Sequence, residues 1–220
     1  MPLLSDPAAL AGLVTREVRT GSRAGATTRI AVARRTYPTD QADLWDAVTN
    51  AERIPRWFLP ITGSLEIGGR YQLEGNANGV VERCDAPKQF AVTWEMGPQV
   101  SWLSVTLTPA GDGTELELVH EAPVDPEMWK QFGPGAVGVG WDLALLGLGM
   151  HLSTDEPVDP DVALTLHKTP EGLEFIRTAA DAWGAAAIAD GDDPAVAAAA
   201  VEQTFTFYTV EPEPEAGAES

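Results

Sequence analysis

The length, composition and charge of the chain limit its class before any motif is considered. The 220 residues can form one sizeable core, and 44% hydrophobic with 21% charged residues is typical of a globular protein in water. The net charge of -19 lies almost wholly in residues 91–220, so we expect neither nucleic acid nor an anionic membrane surface as a partner.

The N-terminal segment, residues 1–12, has no basic leader and only a short apolar run, so we do not expect a signal peptide. Cys84 is the single cysteine. One chain can therefore form neither a disulfide framework nor a cysteine-based metal site, and we expect a reduced, cytoplasmic location.

Residues 13–37 predict a β-hairpin. LVTREVRT and TTRIAVARRTY are rich in β-forming residues and flank GSRAGA, a turn-forming gap. A small basic patch falls on the second strand at Arg29, Arg34 and Arg35, and we interpret it as a solvated strand edge.

Two short helices are predicted next. TDQADLWDAVTN predicts a helix with Thr39 as its N-cap, and NAERIPRWF predicts a shorter one that begins at Asn50 and is ended by Pro55. Trp57 and Phe58 follow at once, and such large aromatic side chains need something to pack against.

From residue 61 to residue 122, short β-prone runs alternate with tight turns, which is typical of an antiparallel meander. Two runs alternate clearly, as expected for strands with one buried and one wet face. The residues that share a face are Phe90, Val92, Trp94 and Met96 in the first run, and Leu116, Leu118, His120 and Ala122 in the second.

Helices are predicted after the meander. Asp125-Pro126 begins a helical turn, a long helix spans roughly residues 137–152, and a cap followed by proline starts three more helical segments, at Asp159-Pro160, Thr169-Pro170 and Asp193-Pro194. The acidic, proline-rich tail, residues 210–220, is expected to be disordered.

The long helix is apolar enough to imitate a membrane span. Asp142 is the only charged residue between positions 132 and 152, and at mid-segment it would cost roughly 2.5–3.5 kcal/mol on insertion, so we expect no span. The helix is apolar on two opposite faces, which predicts that residues 160–208 cover the second face; a homodimer through that face is the alternative.

Four stretches resemble the START-like helix-grip superfamily, in the branch of the activator of heat-shock protein 90 ATPase and its homologues. They are RTYPTDQADLWDAVTNAERIPRWF, GGRY, GDGTELELVHE and GWDLALLGLGMHL. The resemblance implies an α+β helix-grip fold over residues 13–152, in which a curved antiparallel sheet wraps round a long helix. It also implies a helical extension over residues 153–209, like that of an actinobacterial subgroup.

Similar domains hold lipids, steroids or polyketides between the sheet and the long helix. The candidate lining residues here combine apolar bulk with a few polar groups, as such a cavity requires. They are Phe58, Tyr71, Trp94, Trp102, His120, Trp141 and Leu145.

Three functions are compatible with these features. The first is binding of an apolar or aromatic small molecule, with no cofactor and no metal. The second is a polyketide cyclase- or hydrolase-like enzyme, in which His120 would work with Asp142 or Glu82 as an acid–base pair. The third is a module that regulates a chaperone. GPGAVG, residues 133–138, matches a dinucleotide-binding pattern in its letters but follows no strand, so we expect no dinucleotide.

Overall fold

The structure, a computed structural model, describes residues 6–210. Eight strands form one antiparallel sheet in the order β1-β2-β8-β7-β6-β5-β4-β3. This is the α+β helix-grip architecture that the resemblance implies. The strands are β1 (Thr15–Arg23), β2 (Ala26–Tyr37), β3 (Ile61–Gly63), β4 (Arg70–Leu73), β5 (Asn78–Asp85), β6 (Gln89–Met96), β7 (Gln99–Ala110) and β8 (Gly113–Pro123).

The helices are α1 (Pro7–Gly12), α2 (Gln41–Thr49), α3 (Pro126–Phe132), α4 (Gly135–Thr154), α5 (Pro160–Thr165), α6 (Pro170–Ala189) and α7 (Pro194–Thr209). Residues 1–5 and the predicted disordered tail from residue 211 onward lie outside the described residues.

The hairpin of β1 and β2 is longer than the sequence predicts. Its turn is the dipeptide Ala24-Gly25, and Gly21 and Ser22 of the expected gap pair with β2. Both turn residues have positive φ, 51° and 83°. Two such residues give a tight turn whose twist matches that of the strands, so pairing continues to the tip.

The two short helices differ from the prediction in detail. Asp40, not Thr39, is the N-cap of α2, and its side chain accepts a hydrogen bond from the Asp43 amide at 2.8 Å. The second helix is only a 3-10 turn, Ile54–Arg56. Pro55 lies inside this turn rather than at its end, because its missing N–H costs nothing in the first turn of a helix.

Helix α4 packs one face on the sheet and the other on the C-terminal helices. Trp183 of α6 lies against Gly138, and Thr204 of α7 lies against Gly135. The Tyr208 hydroxyl donates a hydrogen bond to the Ala136 carbonyl. The glycines let the helices approach closely. Because α4 is packed on both sides, it carries apolar residues on both faces.

Candidate functional site

An apolar cavity of about 150 Å³ lies between the sheet and α4 and is partly open to solvent. Its lining comes from the concave face of the sheet, from α2 and the 3-10 turn, and from α4. The lining residues are Val48, Thr49, Ile54, Trp57, Phe58, Ile61, Leu65, Tyr71, Leu73, Val81, Cys84, Phe90, Val92, Trp94, Leu103, Val105, Leu116, Leu118, Trp141, Ala144, Leu145 and Leu148.

Aromatic rings form one side of this cavity. Trp57 and Phe58 stack with ring centroids 5.5 Å apart, and Phe58 lies 6.3 Å from Trp141. Trp94 meets Trp141 edge-on at 5.0 Å. Phe58, Trp94 and Trp141, like Tyr71 and Leu145, are candidates from the sequence that the structure places around one space.

His120 lies behind this lining rather than in it. The indole N–H of Trp141 donates a hydrogen bond to its Nδ1 at 3.0 Å, so the ring proton is on Nε2, 2.8 Å from the Ser101 hydroxyl. The Ser101 hydroxyl donates in turn to the Trp94 carbonyl at 3.0 Å. Both ring nitrogens are thus bonded within the protein.

Burial has a clear effect on the charge of His120. The residue is 7% exposed, and desolvation lowers the pKa of its ring from the ordinary 6.5 to about 4. The ring is therefore neutral at neutral pH. A neutral histidine with both nitrogens bonded within the protein is a structural support for Trp141, not a free general base.

Trp102 lies on the other face of the sheet. Leu103, Val105 and Leu107 of β7 are buried, and the alternation of a strand turns Trp102 away from them. Its ring packs under the Arg23 guanidinium at 4.2 Å. The alternation in VSWLSVTLTP was the signal that could have separated Trp102 from the cavity residues.

Neither carboxylate proposed as a partner of His120 forms a hydrogen bond with it. Asp142 faces the C-terminal helices, where its carboxylate accepts a hydrogen bond from the Trp183 indole at 2.8 Å and pairs with Arg16 at 3.1 Å. Burial raises the pKa of Asp142, and the Arg16 guanidinium opposes that shift. Glu82 is exposed on β5. The structure therefore does not pair His120 with either Asp142 or Glu82, as the enzyme hypothesis requires.

The predicted basic patch is not a solvated strand edge. Arg29 pairs with Asp190 at 2.6 Å and Asp192 at 2.7 Å, which ties the sheet to the end of α6. Arg35 is buried and donates a hydrogen bond to the Leu145 carbonyl at 2.9 Å. Its charge is therefore unavailable to an anionic partner.

Arg34 is also paired, with Glu117 at 2.6 Å and Glu17 at 3.0 Å. Asp159 and Asp193 are helix caps, because their side chains accept hydrogen bonds from the first amides of α5 and α7. Within residues 6–210, no group of three or more histidine, cysteine or acidic residues could hold a metal ion.

Helix α4 is the one described helix that is long and apolar enough to cross a membrane by length and composition. In the fold, 56% of its most apolar window is buried. The buried core helix of a soluble protein can have the same length and apolar composition, because it packs against the protein on more than one face.

Several solved structures of other proteins are similar to this chain. CalU16 from Micromonospora echinospora, in its crystal structure, has 30% sequence identity to this chain and a TM-score of 0.63. The match covers 80% of this chain and 98% of the CalU16 chain. The match to the solution NMR structure of CalU16 has 31% sequence identity and a TM-score of 0.68, and it covers 81% of this chain and 97% of the CalU16 chain. DynU16, from the dynemicin biosynthetic locus, is 20% identical over 58% of this chain and 48% of its own, with a TM-score of 0.51, and shows the fold alone.

No sequence among the curated proteins matches this chain. The family model described as Activator of Hsp90 ATPase homolog 1-like protein matches residues 38–153, from just before α2 to the last turn of α4. That match spans more than half of the chain and contains every lining residue of the cavity. The chain therefore belongs to the Activator of Hsp90 ATPase homolog 1-like family.

Proposed function

We propose that the protein binds an apolar, aromatic small molecule in the cavity between the sheet and α4. The observation that carries the proposal is the cavity itself, a space of about 150 Å³ between the sheet and α4 with a lining that is mostly aliphatic and aromatic. Protein interiors are close-packed, and an unfilled space of this size costs stability. A ligand of matching shape would recover those contacts.

The state of His120 supports binding without turnover. His120 is neutral, lies behind Trp141 and uses both of its ring nitrogens inside the protein. Catalysis by proton transfer needs a group within hydrogen-bond reach of the substrate. The proposal therefore treats the cavity as a binding site.

The proposal is tested by thermal denaturation with toluene or indole present. At a ligand concentration of about 100 times Kd, binding stabilises the protein by about 2.7 kcal/mol, which raises the Tm of a chain of this size by roughly 5–10 °C. Quenching of tryptophan fluorescence gives a second measurement, since Trp57, Trp94 and Trp141 line the cavity.

Two substitutions on α4 separate cavity binding from surface binding. Ala144 lines the cavity, so Ala144→Leu fills part of it and should abolish the rise in Tm. Ala136 does not line it, so Ala136→Leu in the same helix should preserve the rise. If no apolar probe raises the Tm, or if both variants respond like the wild-type protein, the cavity is not a binding site. A chaperone-regulating module, the alternative that the family name raises, would not depend on the volume of this cavity.

A further inference from the structure

The volume of the cavity restricts the size of a ligand. A dry, apolar cavity of about 150 Å³ is known to accept benzene, whereas drug-sized ligands occupy pockets of about 300–1,000 Å³. The cavity here is about 150 Å³. That space matches one aromatic ring with a small substituent, and most of a steroid or lipid would have to remain outside it, in the opening.

The polar groups of the lining are mostly bonded to the protein. The Tyr71 hydroxyl donates to the Thr93 carbonyl at 2.7 Å, and the Trp57 indole donates to the Ala47 carbonyl at 2.9 Å. The Trp141 indole donates to His120, as described above.

Thr49 is likewise bonded, to the Trp45 carbonyl at 2.7 Å. Two lining groups have no hydrogen-bond partner among residues 6–210: the indole N–H of Trp94 and the thiol of Cys84, which is exposed. The Trp94 indole is a donor only. The cavity therefore offers a ligand very few polar contacts.

The lining also contains no charged side chain. An ion that entered would lose its hydration and gain no counter-ion, and this costs far more than burying a neutral ring. His120 would not supply a positive charge at neutral pH, since its ring is neutral there.

Resting on the proposed function, we infer that the ligand is a neutral, single-ring aromatic molecule with at most one hydrogen-bond donor. The cavity excludes charged molecules of the same shape. Its selectivity comes from internal hydrogen bonds that occupy the polar atoms of the lining, above all the bond from Trp141 to His120.

A nitrophenol is the sharpest probe, because one molecule changes from neutral to anionic near neutral pH while its shape stays the same. Titration calorimetry at pH values on either side of its ionisation should show binding of the neutral form. The anion should bind at least about 100-fold more weakly. Toluene, which does not ionise, is the control and should bind equally at both pH values.

A size series gives the second measurement. Toluene should raise the Tm of the full chain, whereas progesterone at the same concentration should not. If toluene binds but the nitrophenol anion or progesterone binds as tightly, this inference is overturned and the proposed function stands. If no apolar probe binds, the proposed function fails and takes this inference with it.

Trp141→Phe tests the cause of the selectivity. It keeps an aromatic ring on α4 but releases Nδ1 of His120, an acceptor that lies beside the lining. Phenol, a donor, should then gain at least about tenfold in affinity relative to toluene, measured in the same variant. An unchanged ratio of phenol to toluene affinity would show that internal pairing does not set the selectivity.

Discussion

The stability of the protein should depend on the protonation of His120. The folded protein keeps this ring neutral down to a pKa of about 4, whereas the unfolded chain takes up the proton near 6.5. Between these values the unfolded state binds more protons, so stability falls as the pH falls. The loss from pH 7 to pH 4 through this one group is about 3 kcal/mol.

The substitution that isolates this contribution is His120→Gln, which keeps a polar side chain but does not titrate. Chemical denaturation at several pH values between 7 and 4 gives the free energy of unfolding of both proteins. The advantage of the wild-type protein over the variant should shrink by about 3 kcal/mol across this range, whatever the other acidic groups do, because they are common to both.

The control is Leu118→Ala, two residues earlier on the same buried face of β8. It should lower stability by about 2–5 kcal/mol through lost packing. Because His120 is retained, the difference from wild type should stay nearly constant with pH. A wild-type advantage over His120→Gln that does not change with pH would refute the buried, neutral histidine.

Two further predictions concern the packing of α4. In Gly138→Ala the new methyl group would overlap the buried indole of Trp183, so the free energy of unfolding should fall by about 1–3 kcal/mol despite the better helix propensity of alanine. The control is Gly12→Ala, whose methyl group would meet no atom within 4 Å and should not destabilise the protein. Equal denaturation midpoints for the two variants would contradict the close approach of α4 and α6. Truncation after Ser153 removes α5 to α7 and should yield a protein that aggregates in gel filtration or is strongly destabilised in thermal denaturation. Truncation after Val210 is the control. A truncated monomer as heat-stable as the full chain would show that the second apolar face of α4 does not have to be buried by these helices.

Local signals in the sequence account for much of the fold. The alternation in β6 and β8 and the cap-plus-proline pairs depend on residues within one or two turns of each other, so they survive without tertiary information. Asp125, Asp159, Thr169 and Asp193 each accept hydrogen bonds from the first amides of the helix they precede, as their patterns predict.

The errors fall where two local signals compete or where a pattern is short. Thr39 and Asp40 are both good caps, and in the structure Asp40 is the residue that caps α2. Trp102 was predicted as a cavity residue from its chemistry, although the alternation of its own strand places it on the outer face.

By itself, then, the sequence determined the α+β class, the meander, the long helix and the set of large aromatics that needed a common partner. Tertiary structure alone decided which of these side chains meet. His120 is joined to Trp141 across 21 positions, and Asp142 to Arg16 across 126. Such pairings depend on strand register and on where α4 crosses the sheet. The volume of the cavity is the small space left between these elements, and no local pattern encodes it.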